Sequence, residues 1–184
     1  MATVSRGKRS QRRVSKRASD PGVDPILVTV TRFGGPSEDV EVLPELIIHF
    51  PEGIVGFEAL KRYVLVADPD CPPFFWLQSV DDAATGFAVV DPRLLIADYA
   101  VDLSDEWVEL LDLQEPADAS IWVIVTLAMD PADITANLLA PVIINYGAGR
   151  GLQLIQHDSD YSLRHPLAVP EPATEVLEPQ PVKP

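Results

Sequence analysis

The sequence predicts a mainly β chain, a small antiparallel barrel-like or sandwich domain with a few short helices. Three observations carry that expectation. Short runs rich in Val, Ile, Thr and aromatic residues recur along the middle of the chain. Gly, Pro or Asp-Pro breaks separate them. Helical patterns are few and brief, so the apolar runs must bury themselves by pairing with one another.

Taken in order, Ile26-Leu27-Val28-Thr29-Val30 is the first expected strand and stops at the turn cluster Phe33-Gly34-Gly35-Pro36. Val40 to Phe50 reads as a second, with Pro44 marking a bulge or an edge because proline gives a ladder no donor. Tyr63 to Val66, Phe74 to Val80 and Gly86 to Val90 follow. Ser120 to Met129 is the strongest strand signal, β-branched and aromatic through its first half. Pro141 to Asn145 and Gly151 to Gln156 form a hairpin across Tyr146-Gly147-Ala148-Gly149-Arg150. Among helices, Ser104 is a candidate N-cap, followed by Asp105 and Glu106 in the positive first turn and by Trp107, Leu110 and Leu111 on one face. Single turns are expected at Phe57 to Arg62 and at Asp130 to Ile134, where Asp130 caps and Pro131 takes the first helical position.

The ends differ from this middle. Residues 1–25 form a basic arm expected to be disordered, dense in charge and poor in apolar groups. Residues 168–184, with Pro170, Pro172, Pro179, Pro181 and Pro184, read as a flexible Pro-rich tail. Residues 26–167 are the expected folded domain. The charge is split the same way. Residues 1–20 carry seven bases and one acid, and the rest of the chain holds 7 bases and 27 acids, a formal net charge of −20. Such a body repels nucleic acid and anionic lipid and attracts basic protein surfaces; the simpler reading is that acidity confers solubility. No apolar run approaches the roughly 20 residues of a membrane span, and no apolar core follows the basic start as in a secretory signal. The single cysteine, Cys71, leaves no internal disulfide and suits a reducing compartment.

Chemistry is sparse. His49, His157 and His165 make no close ligand pair; His157 with Asp158 and Asp160 is the best cluster for a metal and reads better as a solvated loop. The carboxylate pairs Asp68/Asp70 and Asp81/Asp82 sit in turn-rich stretches, where Asp is favoured for turn geometry. There is no GxSxG, no GxGxxG and no phosphate-binding loop, and Cys71 lacks a histidine partner in its surroundings. No catalytic residue, metal or cofactor is expected. Phe74, Phe75 and Trp76 are consecutive, so a strand points them to alternate faces, one of which is either covered by a neighbouring element or left as an interface anchor.

A succession of motifs then stands out: Thr31-Arg32-Phe33-Gly34; Phe50-Pro51-Glu52-Gly53-Ile54-Val55-Gly56-Phe57-Glu58; Pro73-Phe74-Phe75-Trp76-Leu77-Gln78-Ser79; Phe87 to Pro92; Thr135 to Asn145; Gly151 to Ile155; and Tyr161 to Leu167. In this order they resemble the flagellar assembly factor FliW family, from about Ile26 to Leu167. The resemblance implies a small cytoplasmic β-barrel-like protein without catalysis. It also implies two competing partners, flagellin and the RNA-binding translational regulator CsrA. Free protein of this kind sequesters CsrA and relieves repression of flagellin mRNA; flagellin-bound protein releases it.

Within those motifs, Glu58, Asp81 and Asp82 are candidate contacts, being acidic and next to the strongest motifs. Phe57 and Asn137 join them, with core packing the alternative for Phe57 and capping of loop backbone groups the alternative for Asn137 and Asn145. Gly53 and Gly56 serve backbone geometry. Two other classes remain open on the residues alone: a small-molecule-binding or hydrolytic β-barrel protein, which needs a pocket with converging polar groups, and an RNA-associated chaperone using the basic arm.

Overall fold

Alternation of apolar residues with both faces buried governs this structure, a computed structural model that describes residues 24–32 and 35–167. The elements are β1 (Ile26–Val30), β2 (Glu38–Val42), β3 (Ile48–His49), β4 (Arg62–Ala67), β5 (Phe75–Ser79), β6 (Gly86–Val90), helix α1 (Asp105–Leu110), β7 (Ser120–Thr126), β8 (Thr135–Ala136), β9 (Val142–Asn145), β10 (Arg150–Gln153) and β11 (His165–Pro166). Short 3-10 turns lie at Pro44–Leu46, Pro92–Leu94, Pro116–Asp118 and Pro131–Asp133, each with proline at its start.

Seven strands close a barrel in the order β7-β6-β5-β4-β3-β10-β9, with β9 returning to β7. Strand β7 makes the closure by dividing one edge: Ser120, Ile121 and Trp122 pair with β9, while Val125 and Thr126 pair with β8, which in turn carries β11. All pairs in the ring are antiparallel except β3 with β10, a parallel contact at Arg150 opposite His49. Closure leaves the barrel strands no free edge, the usual hazard of an open sheet.

Three apolar layers follow from strand alternation. The barrel interior holds Ile48, Phe50, Tyr63, Leu77, Val89, Val142 and Ile144, with Phe87, Trp122 and Ile124 packed against them. The opposite faces of β4 to β7, with Val64, Val66, Trp76, Ala88 and Val123, lie under the β1–β2 hairpin through Val28, Val30 and Val42. On the far side Ile143 and Leu152 are covered by Leu111 and by Trp107 of α1. Phe75 and Trp76 therefore each have cover, Phe75 from Trp122 at 4.8 Å inside the barrel and Trp76 under the hairpin. The interior is filled: a Cβ on Gly151 would lie 2.4 Å from the Phe50 ring.

Several expectations need correction. The stretch Val40 to Phe50 is two strands, because Pro44 opens a 3-10 turn that breaks the ladder. The turn expected over Phe57 to Arg62 closes at Leu60, whose N–H donates to the Phe57 carbonyl at 3.0 Å, and Arg62 already belongs to β4. Ser104 precedes α1 but its side chain makes no capping bond. Strand β7 ends at Thr126, and β10 spans only Arg150–Gln153. The basic arm through Val23 and the Pro-rich tail from Ala168 lie outside the described residues.

Candidate functional site

The segment from Phe50 to Lys61, between β3 and β4, is shaped by its two glycines. Gly53 has φ 77° and Gly56 φ 84°, a region L side chains rarely adopt. At Gly53 there is no room for a side chain in any case, since a Cβ would lie 2.6 Å from the Glu58 backbone. Gly56 occupies the third position of the turn Ile54 to Phe57, where a positive φ is required and where the Phe57 N–H donates to the Ile54 carbonyl at 2.7 Å. The result is a tight loop that drives Ile54 into the barrel and leaves Val55 and Phe57 outward. The Val55 N–H donates to Gln153 Oε1 at 2.9 Å and Lys61 Nζ to the Pro51 carbonyl at 2.7 Å, so the loop is tied at both sides.

Phe57 is 41 % exposed, yet its ring stands edge-on to Phe87 at 5.0 Å. Phe87 contacts Tyr63 at 6.3 Å, and Tyr63 contacts Phe50 at 5.1 Å. A row of aromatics thus runs from the filled interior to the surface, holding a partly exposed ring in one place. Beside it opens a groove of about 360 Å³, with Phe87, Ile124, Leu139 and Ala140 among its walls and Val55, Ile155 and Leu163 among its lining. Those last three are 57 %, 39 % and 57 % exposed. Apolar side chains left open around a preformed concavity mark a surface suited to another apolar group.

Of the five candidate residues, one lines this groove and two lie in the loop beside it. Asn137 lines it; its Oδ1 accepts from the Ala140 N–H at 2.9 Å, which leaves the side-chain amide donors uncommitted among the described residues. Phe57 joins it through Phe87. Glu58 follows Phe57 and accepts from the Gly56 N–H at 2.7 Å; that bond and a second one from backbone hold its carboxyl below the usual range. Asp81 and Asp82 belong to the turn between β5 and β6. Asp81 accepts from the N–H groups of Lys61 and Arg62, both at 2.9 Å, and from Arg62 Nε at 2.6 Å. Burial pushes its carboxyl up, but these bonds outweigh burial and hold it low. Asp82 accepts from Thr85 Oγ1 at 2.6 Å and the Ala84 N–H at 3.1 Å. Asn145 serves the structure, since its Nδ2 donates to the Leu111 and Asp112 carbonyls and its Oδ1 accepts from the N–H groups of Gly147 and Ala148.

Two features escaped sequence reasoning. The groove gathers residues from five separate parts of the chain, from Ile54 and Val55 through Phe87, Ile124 and Asn137 to Ile155 and Leu163, which no local pattern brings together. The second left a plain signal: no Lys or Arg stands between Arg93 and Arg150, while Asp102, Asp105, Glu106, Glu109, Asp112 and Glu115 are exposed in and around α1. The acidity is concentrated there.

A second hollow of about 460 Å³ lies between the hairpin and the barrel, lined by Thr31, Arg32, Trp76, Val125 and Leu127. Arg32 pairs there with Glu38 at 2.8 Å. Neither hollow gathers a nucleophile and base. The shifted carboxylates Glu38, Asp68 and Asp91 are all held low by hydrogen bonds, not raised as a general acid would be. Among the described residues no group of three His, Cys, Asp or Glu stands close enough for a metal, His157 included, and no helix is long and apolar enough to cross a membrane.

The fold and site therefore define a small closed β-barrel carrying an apolar docking-type groove at a loop fixed by glycines. Comparison with known proteins gives this class a family. The family model described as FliW protein matches residues 30–167. The chain is 40 % identical over 141 residues to the flagellar assembly factor FliW of Ruminiclostridium cellulolyticum, covering 76 % of this chain and 93 % of that protein. It is 38 % identical over 138 residues to the flagellar assembly factor FliW of Syntrophus aciditrophicus, covering 75 % and 85 %. A crystal structure of the flagellar assembly factor FliW superposes with a TM-score of 0.67 at 34 % identity, over 77 % of this chain and 95 % of that one. The chain belongs to the FliW family.

Proposed function

We propose that this protein is a flagellar assembly factor that works in the cytoplasm by binding, without catalysis, two polypeptides in alternation. One is flagellin. The other is the translational regulator CsrA, which the flagellin-free protein holds away from flagellin mRNA. Membership of the FliW family supports the role, and the observation that carries a binding mode is the groove: apolar groups stay exposed around it, with Phe57 held by Phe87 as a rigid anchor. A fixed aromatic beside a concave apolar surface is the usual make-up of an interface hot spot. Asn137 offers donors to a partner's backbone, and Glu58 sets a charge next to Phe57.

The base-free acidic stretch around α1 suits the second partner. An RNA-binding protein presents basic surface for phosphates, and an acidic body steers such a surface into contact and keeps RNA away. Asp81 and Asp82 are weaker contact candidates than Glu58, because the loop and turn around them already engage their oxygens. The reading as a small-molecule or hydrolytic barrel lacks converging polar groups in the described hollows.

Calorimetric competition tests the proposal. Flagellin and CsrA should each bind the purified protein, and saturating flagellin should displace CsrA through mass action between exclusive complexes. Absence of both interactions at micromolar concentration, roughly −8 kcal/mol of association, would overturn it.

A further inference from the structure

The groove lies close to a segment of this same chain that has the chemistry to fill it. The described chain ends at Leu167, four residues past Leu163 on the groove's lining. At up to about 3.5 Å per extended residue, that places the groove within about 14 Å of the point where residues 168–184 begin. Those residues contain one adjacent pair of large apolar side chains, Val176-Leu177, with a carboxylate on each side, Glu175 and Glu178.

The cation that would match those carboxylates stands next to Leu163. Arg164 is exposed, and its guanidinium bonds to none of the described groups. The other described bases are committed: Arg32, Arg62 and Arg93 to carboxylates, and Lys61 and Arg150 to backbone carbonyls. Among the described residues, then, the uncommitted cation is the one beside the exposed apolar lining. The basic arm at the other end of the chain is a poor match. It would bring like charge to Arg164, and its valines, Val4, Val14 and Val23, stand singly.

We propose that the segment Glu175-Val176-Leu177-Glu178 of the same chain docks in the groove, its apolar pair against Val55 and Leu163 and a flanking carboxylate against Arg164. It would there compete with the polypeptide partner; only this competition rests on the function proposed above. Tethering makes a weak contact sufficient. Seven residues separate Leu167 from Glu175, and a tether that short gives an effective concentration of order millimolar. Docking with millimolar intrinsic affinity would leave the groove about half occupied, and tighter docking would lower partner affinity by roughly two- to tenfold.

Methyl-resolved NMR on full-length protein tests this. Val55, Ile155 and Leu163 methyl signals in the unsubstituted chain should differ from those in the V176S/L177S double variant and shift partway toward it in R164E. The differences should not change on dilution. Coincident groove signals in the unsubstituted chain and the double variant would overturn the proposal. So would differences that vanish on dilution, since the occupant would then be a second copy. Flagellin should bind the double variant roughly two- to tenfold more tightly. If the groove signals show the docked segment but flagellin affinity is unchanged, the competition fails and the intramolecular contact stands. If flagellin binds neither protein, the functional reading fails and the NMR result is untouched.

Discussion

The seam of the barrel and the groove beside it share one loop and meet opposite demands. At the seam, where β3 meets β10, Gly151 faces the Phe50 ring with no space to spare, and in the loop leaving β3 Gly53 is as tightly set against the Glu58 backbone. A few residues on, Val55, Ile155 and Leu163 stand open around a groove. The first region is specified by what it excludes, the second by what it leaves uncovered. The aromatic row from Phe50 through Tyr63 and Phe87 to Phe57 joins them, so rigidity at the seam fixes the ring at the surface. The difference teaches that the glycines Gly53 and Gly56 build a platform, and that its outward side chains are the ones left open to contact.

Substitutions separate the two regions most sharply at the seam. G53A forces a side chain into a left-handed backbone position and into neighbouring backbone, and G151A drives a methyl into the Phe50 ring. Each should lose about 3 kcal/mol, from overpacking and, at Gly53, strain. That corresponds to a fall of order 10 °C in thermal midpoint by calorimetry. A fall under about 2 °C would show the seam to be softer than its contacts indicate.

Groove substitutions should do the reverse. F57A and L163D are expected to weaken flagellin binding by about tenfold or more, the effect of removing or charging an interface anchor. Thermal midpoints should move only a few degrees, since both side chains are substantially exposed. Equal loss of stability and binding would merge the two regions and remove the distinction.

Between them stands Asp81, which ties the end of the loop to β5. D81N should cost about 1–2 kcal/mol after allowance for solvent screening of the half-exposed Arg62. The folded carboxyl lies below its ordinary value, so its stabilisation is fully present above about pH 4. It is lost as pH falls through the lower folded value. Urea unfolding from pH 7 to pH 3 should show a smaller acid destabilisation in D81N than in the parent; equal slopes would dismiss the clamp.

The smallest effect is expected inside the row. The Tyr63 hydroxyl is buried without a partner among the described residues, and burial, with Asp81 nearby, pushes its phenol up to about 12. Y63F removes an unsatisfied polar group and keeps the ring, so stability should hold or rise by up to about 1 kcal/mol. A clear loss in denaturant titration would reveal a hydrogen bond that the structure does not contain.

Much of the fold was legible in the sequence because burial on both faces makes long apolar strands easy to read. Gly86–Val90 matches its expected bounds, and the Asp130 cap and the hairpin through Tyr146 were visible from turn chemistry. Two-residue strands such as β8 and β11 leave no periodicity to detect. The parallel seam is set by long-range register, which no local run encodes. The turn read over Phe57 to Arg62 is present only as far as Leu60, because β4 takes over at Arg62. At the site, charge drew attention to Asp81 and Asp82, whose oxygens already serve the backbone. Phe57 and Asn137 stood out within the motifs, whereas Ile155 and Leu163, though also in motifs, gain meaning only once the chain has brought them to Val55.

The most direct test of the groove as a docking site is a methyl-labelled titration of the full-length protein with flagellin. The account predicts that Val55, Leu139, Ile155 and Leu163 signals respond first and most strongly, while interior signals such as Val89 and Ile144 hold. Binding that shifts a different face and leaves those four methyl groups unmoved would contradict it.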